Sequence, residues 1–479
     1  MGKSLAAALL LALPLAGCVE APSTTPSQSE IVPASLGLGD APSPQLQADW
    51  WKAFHDPQLD RLVDQMLAKN PTLQGALARI RAAEAEVSSA RSRQYPTINI
   101  DGTDTLQLVS KEFVYPQRFG GTWQWVGDVE ARLRWSLDFW GKQAALIARA
   151  RSAGQAAALD AGAARLALAG IFAQSYVQLL LAYQNIDIAH QTLDERQLIL
   201  DLTQSRVASG LENQASLEQA KALLAMARIA LRQTEAQRDV GVHAIAALIG
   251  EGANAYSTIQ RPAAAIENAL PLPDRLPADL LARRPDILAA HARIAAAVHG
   301  REAAHADFYP NIDLAAAIGF QAIGFNNLFS SDALTAGVGP AIHLPIFDAG
   351  AIRAQYARAT ADLDAAVADY NGTVVGAVRQ TADALTEVAS LSDQRAQQKL
   401  ALESAERAFD LAKERYRLGL SGQIPMLTAE ATLLDARRQM AALVTQATNQ
   451  RVTLLLAMGG GYNPGKPGAD SNPRQDDKP

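Results

Sequence analysis

The sequence is built from two copies of one unit, and this duplication restricts the possible folds more than any other feature. Residues 70–100 align without a gap onto residues 284–314, at an offset of 214. The identical positions include Pro71/Pro285, Arg79/Arg293, Ile80/Ile294, Tyr95/Tyr309 and Pro96/Pro310. At an offset of 209 the copies share the glycine pairs Gly141/Gly350 and Gly210/Gly419. Both copies should therefore form the same elements, with a longer loop between the strands of the first copy.

Each copy is predicted to contain a helix, two strands, a long helix, a turn and a second helix. The long helices are expected over 143–207 and 351–418, intervals without proline, and about 65 residues make a rod of roughly 100 Å. Apolar residues recur at every seventh position of the first rod, as in a coiled coil: Phe172, Leu179, Ile186, Leu193, Leu200 and Val207. The second rod keeps Val388, Leu402, Phe409 and Tyr416, with Arg395 in the series. Each rod ends at a glycine, which predicts antiparallel helical hairpins that return to about residues 249 and 458.

Residues 128–139, DVEARLRWSLDF, alternate polar and apolar side chains without a fault. This pattern predicts a strand with one wet face and one apolar face. Three more strands are predicted over 97–108, 311–322 and 337–347, although the last contains Pro340 and Pro345. The odd-numbered side chains of 129–139 are expected to face lipid and the charged, even-numbered ones a water-filled lumen. The alternative is a strand of a soluble sandwich with one solvated face.

Four strands cannot close a barrel, yet a sheet in lipid cannot leave open edges, because every backbone donor and acceptor there needs a partner. The smallest membrane barrels have about eight strands. If these strands cross a membrane, several chains must share one barrel, and the rods must form a matching tube.

Composition narrows the function. The chain has 43 basic and 49 acidic residues, a net charge of -6 and no basic block, which argues against nucleic-acid binding. Four of the six tryptophans lie within eighteen residues around the alternating strand: Trp123, Trp125, Trp135 and Trp140. Clustered indole rings are typical of a membrane interface, although a soluble core could also cluster them.

The amino terminus predicts lipid attachment. Residues 1–17 have a short basic start and an apolar run too brief to span a bilayer, as in a signal peptide. The sequence LAGC ending at Cys18, the only cysteine, resembles the bacterial lipobox, and the following Val19 favours the outer membrane. The alternative is an ordinary signal peptide with an incidental cysteine. Residues 18–47 are then an extended tether, 48–265 the first repeat, 266–458 the second repeat and 459–479 a disordered tail.

Three stretches carry a family resemblance: LPADLLARRPDILAAHARIAAA over Leu276–Ala297, WSLDFWGK over Trp135–Lys142 and LPIFDAG over Leu344–Gly350. They resemble the TolC-like outer-membrane efflux proteins, specifically the lipoprotein (NodT-type) branch that serves resistance-nodulation-division pumps. The resemblance covers about residues 45–458. It implies a mainly α homotrimer with a small β part, in which a twelve-stranded outer-membrane barrel continues into a twelve-helix periplasmic barrel. The implied partners are a periplasmic membrane-fusion adaptor and an inner-membrane pump, with solutes leaving passively.

The same resemblance implies the site residues. The turns that would dock the adaptor are Ser209, Gly210, Leu211, Gly419, Leu420 and Ser421. The pore constriction is predicted at Ile424, with Thr428 one turn further on. The family's acidic positions hold Pro425 and Thr428 here, which leaves Glu430 as the nearest carboxylate, so a carboxylate gate is not expected. The alternative for Ile424 is simple packing between helices.

No motif indicates an enzyme, a metal site or a cofactor. His291, His299 and His305 point in different directions around one predicted helix, and neither a His-Glu-x-x-His nor a Gly-x-Ser-x-Gly motif occurs. Arg284 and Asp286 are interpreted as a solvated helix start around Pro285. Two alternative functions stay open at this point: the outer-membrane conduit of a type I protein secretion system, and a non-conducting envelope scaffold.

Overall fold

The computed structural model of the chain describes residues 24–32, 36, 47–112, 117–265 and 283–462. Cys18, the predicted signal peptide, most of the tether, the start of the motif at Leu276 and most of the predicted tail lie outside these residues. The described helices are α1 (Pro57–Lys69), α2 (Pro71–Ser92), α3 (Lys142–Ala208), α4 (Gln214–Leu248), α5 (Pro285–Ala306), α6 (Ala351–Arg417) and α7 (Gln423–Ala457). The strands are β1 (Thr97–Leu108), β2 (Trp123–Ser136), β3 (Asn311–Ile323) and β4 (Leu334–His343).

The internal repeat is confirmed by the element boundaries. Helices α2 and α5 begin and end at positions 214 apart, and the pairs α3/α6 and α4/α7 do so at 209. The loop between β1 and β2, residues 109–122, is longer than its counterpart at 324–333, as the change of offset predicts. Within the described residues, corresponding helices of the two copies thus have the same lengths, and the connection between the strands differs.

The two long helices, α3 and α6, have 67 residues each and so run for about 100 Å. The predicted seam of α3 faces its neighbours, since Phe172 and Leu179 are fully buried. Helix α3 contains a stretch that is long and apolar enough by composition to cross a membrane, but 56% of that stretch is buried inside the chain. We interpret it as coiled-coil core.

The four strands form one antiparallel sheet in the order β1-β2-β3-β4, so that β1 and β4 are its edges. In register, Ile100 lies opposite Ala131, and Ala131 lies opposite Ile318 on the other side. The apolar side chains of neighbouring strands thus share one face. Pro340, which has no N–H group to donate, lies within β4, an edge strand of the sheet of one chain.

The bounds of two predicted strands are wrong. Strand β2 stops at Ser136, although the alternation continues to Phe139. The reason is Asp138, which has a positive φ of 27° and accepts hydrogen bonds from the amides of Gln143 and Ala144 at the start of α3. A positive φ lies outside the extended region of the backbone, so the strand cannot continue through Asp138. Likewise, β4 begins earlier than expected and ends at His343, before Pro345.

The chain divides into two compact units, each of which draws on both repeats. The first comprises the sheet with the adjoining helix ends, residues 79–157 and 289–370, together with 24–30. The second comprises the remaining described residues.

The main apolar core lies in the second unit and joins a short 3₁₀ helix, Trp50–Phe54, to α1, α3, α4 and α7. Asp56 anchors this core. Its buried carboxylate accepts hydrogen bonds from the Gln58 amide at 2.9 Å and the Tyr176 hydroxyl at 2.7 Å. It thereby caps α1 and fixes that helix against α3.

The interpretation of Arg284 as a solvated residue is wrong, because only 8% of it is exposed. Its guanidinium donates to both carboxylate oxygens of Asp286, at 3.0 and 2.7 Å, and to the carbonyl of Ala457 at 3.1 Å. That carbonyl is at the last residue of α7, where helix carbonyls lack partners within the helix. Arg284 therefore ties the start of α5 to the end of α7.

Candidate functional site

One face of the sheet is apolar except for Asp104 on β1, and the described residues leave most of it exposed. The most exposed side chains of this face are Ile98, Ile100, Val338 and Ile342, each at least 68% exposed. An apolar area of this size on a soluble monomer would be an interaction surface. Neighbouring strands contribute to the face in register, so the whole sheet presents it.

Indole rings flank this face at both ends. Trp125 and Trp135 belong to its parity, ten residues apart on β2. Ten residues span about 33 Å of strand, or about 25 Å at the roughly 40° tilt of membrane barrels, which is the height of their apolar band. At the helix end of the sheet, Trp135 donates to the Gln94 carbonyl at 2.8 Å and Trp140 donates to the Pro310 carbonyl at 2.9 Å. Rings with an apolar body and a satisfied polar tip suit a membrane interface.

The opposite face of the sheet is charged. Arg132 pairs with Glu130 at 2.9 Å and with Asp101 at 3.6 Å, and Thr103 donates a hydrogen bond to Asp128. On this face a side chain at Gly319 would collide with the carbonyl of Val129 and with Glu130. These groups need water, so the sheet separates an aqueous space from an apolar medium.

The predicted docking residues form two identical turns. After α3, the amides of Gly210 and Leu211 donate to the carbonyls of Val207 and Arg206, and the corresponding bonds follow α6 at Gly419 and Leu420. This is the Schellman pattern, and the glycines have φ of 69° and 75°. The leucine after each glycine usually packs on the helix end, yet Leu211 and Leu420 are both 67% exposed. Ser209 is exposed and Ser421 is half-buried.

Polar contacts link the two turns. The Tyr416 hydroxyl lies 3.1 Å from the Thr203 hydroxyl, and Gln423 donates to Thr203 at 3.2 Å. Arg206 donates to the Tyr416 carbonyl at 2.9 Å and stacks over the Tyr416 ring. Thr203, Tyr416 and Gln423 are buried and Arg206 is half-buried. Together they connect the neighbouring ends of α3, α6 and α7.

Ile424 and Thr428 share the exposed face of α7. Ile424 is 72% exposed, whereas Met426 and Leu427 on the other face are buried. The Thr428 hydroxyl donates to the Ile424 carbonyl at 3.0 Å. Packing between the described helices of the chain therefore does not account for Ile424.

Glu430 is buried to 1% exposure and lies 2.8 Å from Nε of Arg196, which is also buried. The contact is not aligned as a hydrogen bond, and neither carboxylate oxygen has a hydrogen-bond partner in the described part of the chain. Burial raises the pKa of Glu430 to about 7, although the positive charge of Arg196 opposes this shift. The nearest carboxylate to Ile424 thus faces the interior of the chain.

Comparison with known proteins agrees with this geometry. The family model for outer membrane efflux proteins matches residues 62–251 and 276–460. The chain belongs to this family. It is 34% identical over 370 residues to the fusaric acid resistance protein FusA of Burkholderia cepacia. This alignment covers 74% of this chain and 69% of FusA. The multidrug resistance outer membrane protein MdtP of Escherichia coli is 28% identical, covering 94% of this chain and 95% of that protein.

Solved structures agree. The outer membrane protein VceC of Vibrio cholerae matches with a TM-score of 0.80 at 32% identity, over 87% of this chain and 100% of that chain. The chain is therefore an outer-membrane efflux channel with the fold of its trimeric relatives. Three chains close one twelve-stranded barrel, which continues into a barrel of helices.

Membership of the efflux protein family explains the two unpaired edges. In a trimer, β1 of one chain can pair with β4 of the next, so no backbone group is left unsatisfied in lipid. Strand β2 then places Val129 and Leu133 toward lipid and Glu130 and Arg132 toward the lumen, as the alternation predicts.

Sequence reasoning missed several contacts of this efflux channel. Arg206 and Thr203 carry no motif, and their partner Tyr416 is noticeable only as a member of the heptad series. The Arg196–Glu430 pair joins residues more than two hundred positions apart. Its one signal is that both charges fall among buried apolar positions of their helices.

Proposed function

We propose that the chain is the exit duct of a tripartite efflux system that conducts small molecules passively. Its partners would be a periplasmic adaptor and an inner-membrane pump of the resistance-nodulation-division class. The observation that carries this proposal is the sheet: an apolar band about 25 Å high backs onto a charged face. Relatives named for fusaric acid resistance and for multidrug resistance favour small molecules over secreted proteins as cargo. The proposal assigns no catalytic residue, metal or cofactor.

The test is conductance of the purified protein in planar bilayers. Discrete, long-lived steps are expected, because the charged face of the sheet would line a water-filled pore through the barrel. A heat-modifiable trimer that inserts but passes no current would support the scaffold alternative instead.

The adaptor is proposed to dock on the two turns. The support is that Leu211 and Leu420 are exposed at equivalent places, where a helix end usually covers such a side chain. Changing both leucines to serine should weaken adaptor binding measured by surface plasmon resonance with the isolated adaptor. Conductance should stay unchanged, because the lumen is untouched.

The constriction is proposed at Ile424, with Thr428 on the same exposed face. The support is that Met426 and Leu427 fix the other face of α7 in the interior. Ile424→Ser should raise single-channel conductance by hydrating a narrow apolar neck. The matched control is Leu211→Ser, which changes an equally exposed residue on a turn and should leave the trace unaltered. An unaltered trace for Ile424→Ser would place the constriction elsewhere.

Lipid attachment is proposed at Cys18, supported by the sequence around it. Cys18→Ser should abolish incorporation of labelled palmitate. Unchanged labelling would contradict the lipoprotein assignment without affecting the channel proposal.

A further inference from the structure

A basic cleft lies between α6 and α7, at the place where Arg395 interrupts the heptad series of α6. Its polar lining consists of Ser392 and Arg395 from α6 and of Thr448 and Arg451 from α7, and three apolar side chains complete it. The cleft contains about 370 Å³ of empty space, part of which is open to solvent. None of the described residues that line it is an aspartate or a glutamate. A cleft lined by charges of one sign concentrates ions of the opposite sign.

The equivalent place in the first copy of the repeat is filled by aromatic and apolar side chains. Three lining residues have these counterparts 209 positions earlier: Tyr183 for Ser392, Ile186 for Arg395 and Val242 for Arg451. Ile186 and Val242 are buried, and Tyr183 packs against the main apolar core. The second copy therefore has one smaller side chain and two arginines where the first copy has a packed contact.

The acidic residues of the first copy are also replaced in the second. Glu235 and Asp239 of α4 correspond to Val444 and Thr448, which both line the cleft. Because alanine also replaces Arg238, the net charge of the lining positions changes from -1 in the first copy to +2 in the second. The two copies have thus diverged in both volume and charge at one place.

Two arginines that line one cleft repel each other, and this repulsion is strongest where water is partly excluded. Arg395 and Arg451 are both half-buried. The wall between them is fixed, because Thr448 is 3% exposed and its hydroxyl donates to the Val444 carbonyl at 2.9 Å. An anion between the two arginines would offset the repulsion. Guanidinium groups bind carboxylates and phosphates in particular, through paired and charge-assisted hydrogen bonds.

The position of the cleft along α6 restricts the source of such an anion. Arg395 is 44 residues after Ala351, the first residue of α6, which is roughly 65 Å of helix from the strand junction. In an outer-membrane channel this level lies within the periplasm, far from the headgroups of the lipids. The anion is therefore a water-soluble group and not a lipid phosphate.

We propose that the cleft between α6 and α7 binds one carboxylate or phosphate group per chain, held between the guanidinium groups of Arg395 and Arg451. Such a group is present on periplasmic solutes, and the chain itself carries carboxylates at Asp470, Asp476 and Asp477. The inference does not depend on the constriction or the docking turns proposed above.

The site is tested by thermal unfolding of the purified full-length trimer in inorganic phosphate and in chloride at equal ionic strength. Phosphate should raise the midpoint in a saturable manner, because a ligand that binds only the folded state stabilises it. Arg395→Gln and Arg451→Gln should each weaken the affinity for phosphate about tenfold or more, since each removes a charged hydrogen-bond donor. Arg451→Lys keeps the charge and should retain part of the affinity.

The matched control is Arg438→Gln, which changes an exposed arginine of α7 and should leave the response to phosphate unaltered. An equal response in the parent and in both glutamine variants would overturn the site. A chain that ends at Tyr462 distinguishes the two sources of the anion. Tighter phosphate binding by this shortened chain would identify the carboxylates of residues 463–479 as the occupant, whereas equal binding would identify a free anion. No response to phosphate in either chain would overturn the proposal.

Discussion

Two groups of large apolar side chains in this chain have opposite surroundings. Around Phe172 and Tyr176, α3 packs with four other elements until no side-chain surface remains exposed. On the sheet, Ile100 and Val338 are each 77% exposed, although their pattern is just as regular. The difference shows that the core is completed within one chain, whereas the sheet is completed by lipid and by neighbouring chains. Apolar side chains of the same types therefore stabilise the protein in two ways, by packing against other helices in the core and by contacting lipid on the sheet.

The largest effect is expected in the core. Phe172→Ala should destabilise the protein by about 3–5 kcal/mol, because it leaves a cavity among closely packed helices. The measurement is chemical unfolding of the purified protein. Ile171→Ala is the control on the same helix turn, since Ile171 is 49% exposed, and it should change stability much less. Equal losses would mean that the two environments do not differ as described.

On the sheet, an added charge should impair membrane insertion only when it lies on the apolar face. Val129→Arg places a cation near the middle of the apolar band and should cost about 2–4 kcal/mol per chain on insertion. Thr103→Arg places the same group on the charged face, beside Asp128, and should be tolerated. Assembly of heat-modifiable trimers in vesicles measures both. If both variants assemble equally, the assignment of the faces is wrong.

Much of this architecture follows from local sequence patterns. The sequence predicts the first residue of each long helix to within about one residue, because a heptad pattern and turn glycines are local signals. Alternation of polar and apolar residues is also a local signal, and it predicts β1 over its whole length. The end of β2 was missed, since the parity of Leu137 and Phe139 cannot reveal that Asp138 caps α3.

Residues of the candidate site can be predicted from the sequence only where they occur in both repeats or match the motif of the family. The turns at Gly210 and Gly419 occur in both copies, and Ile424 follows from the family resemblance. The contacts of Asp364 with Ser27, and of Arg284 with Ala457, join distant parts of the chain. No local pattern predicts which of many similar polar residues meet in the folded chain.

The comparison extends from apolar groups to charged ones. Glu130 pairs with Arg132 on the wet face of the sheet, where the arginine side chain is 53% exposed. Glu430 pairs with Arg196 between α3 and α7, where the exposures are 1% and 10%. Water can solvate the first pair when either group changes its charge. Water cannot reach the second pair in this way, so the contribution of that pair to stability should depend on pH.

The sign of that dependence follows from the pKa of Glu430, which burial raises to about 7. The folded state holds the proton more firmly than the unfolded chain does, so the stabilisation is complete below about pH 4.5 and is lost as the pH rises through 7. The groups facing Glu430 are Arg196 and Glu195, and Glu195 pairs in turn with Arg437 at 3.2 Å. The negative charge of Glu195 adds to the upward shift, and Arg196 opposes it.

The amides around Glu430 in α7 should therefore exchange hydrogen more slowly at pH 5.5 than at pH 8. After correction for intrinsic rates, the free energy of opening should differ by an amount on the order of 1 kcal/mol. Glu430→Gln keeps the shape of the side chain but stays neutral, so most of this difference should disappear. Glu406→Gln, which changes an exposed carboxylate of α6, should retain it. Slower exchange at pH 8 than at pH 5.5 would instead mean that the attraction of Arg196 outweighs desolvation. The buried pair would then resemble the wet pair on the sheet, and the contrast between the two regions would hold for apolar side chains alone.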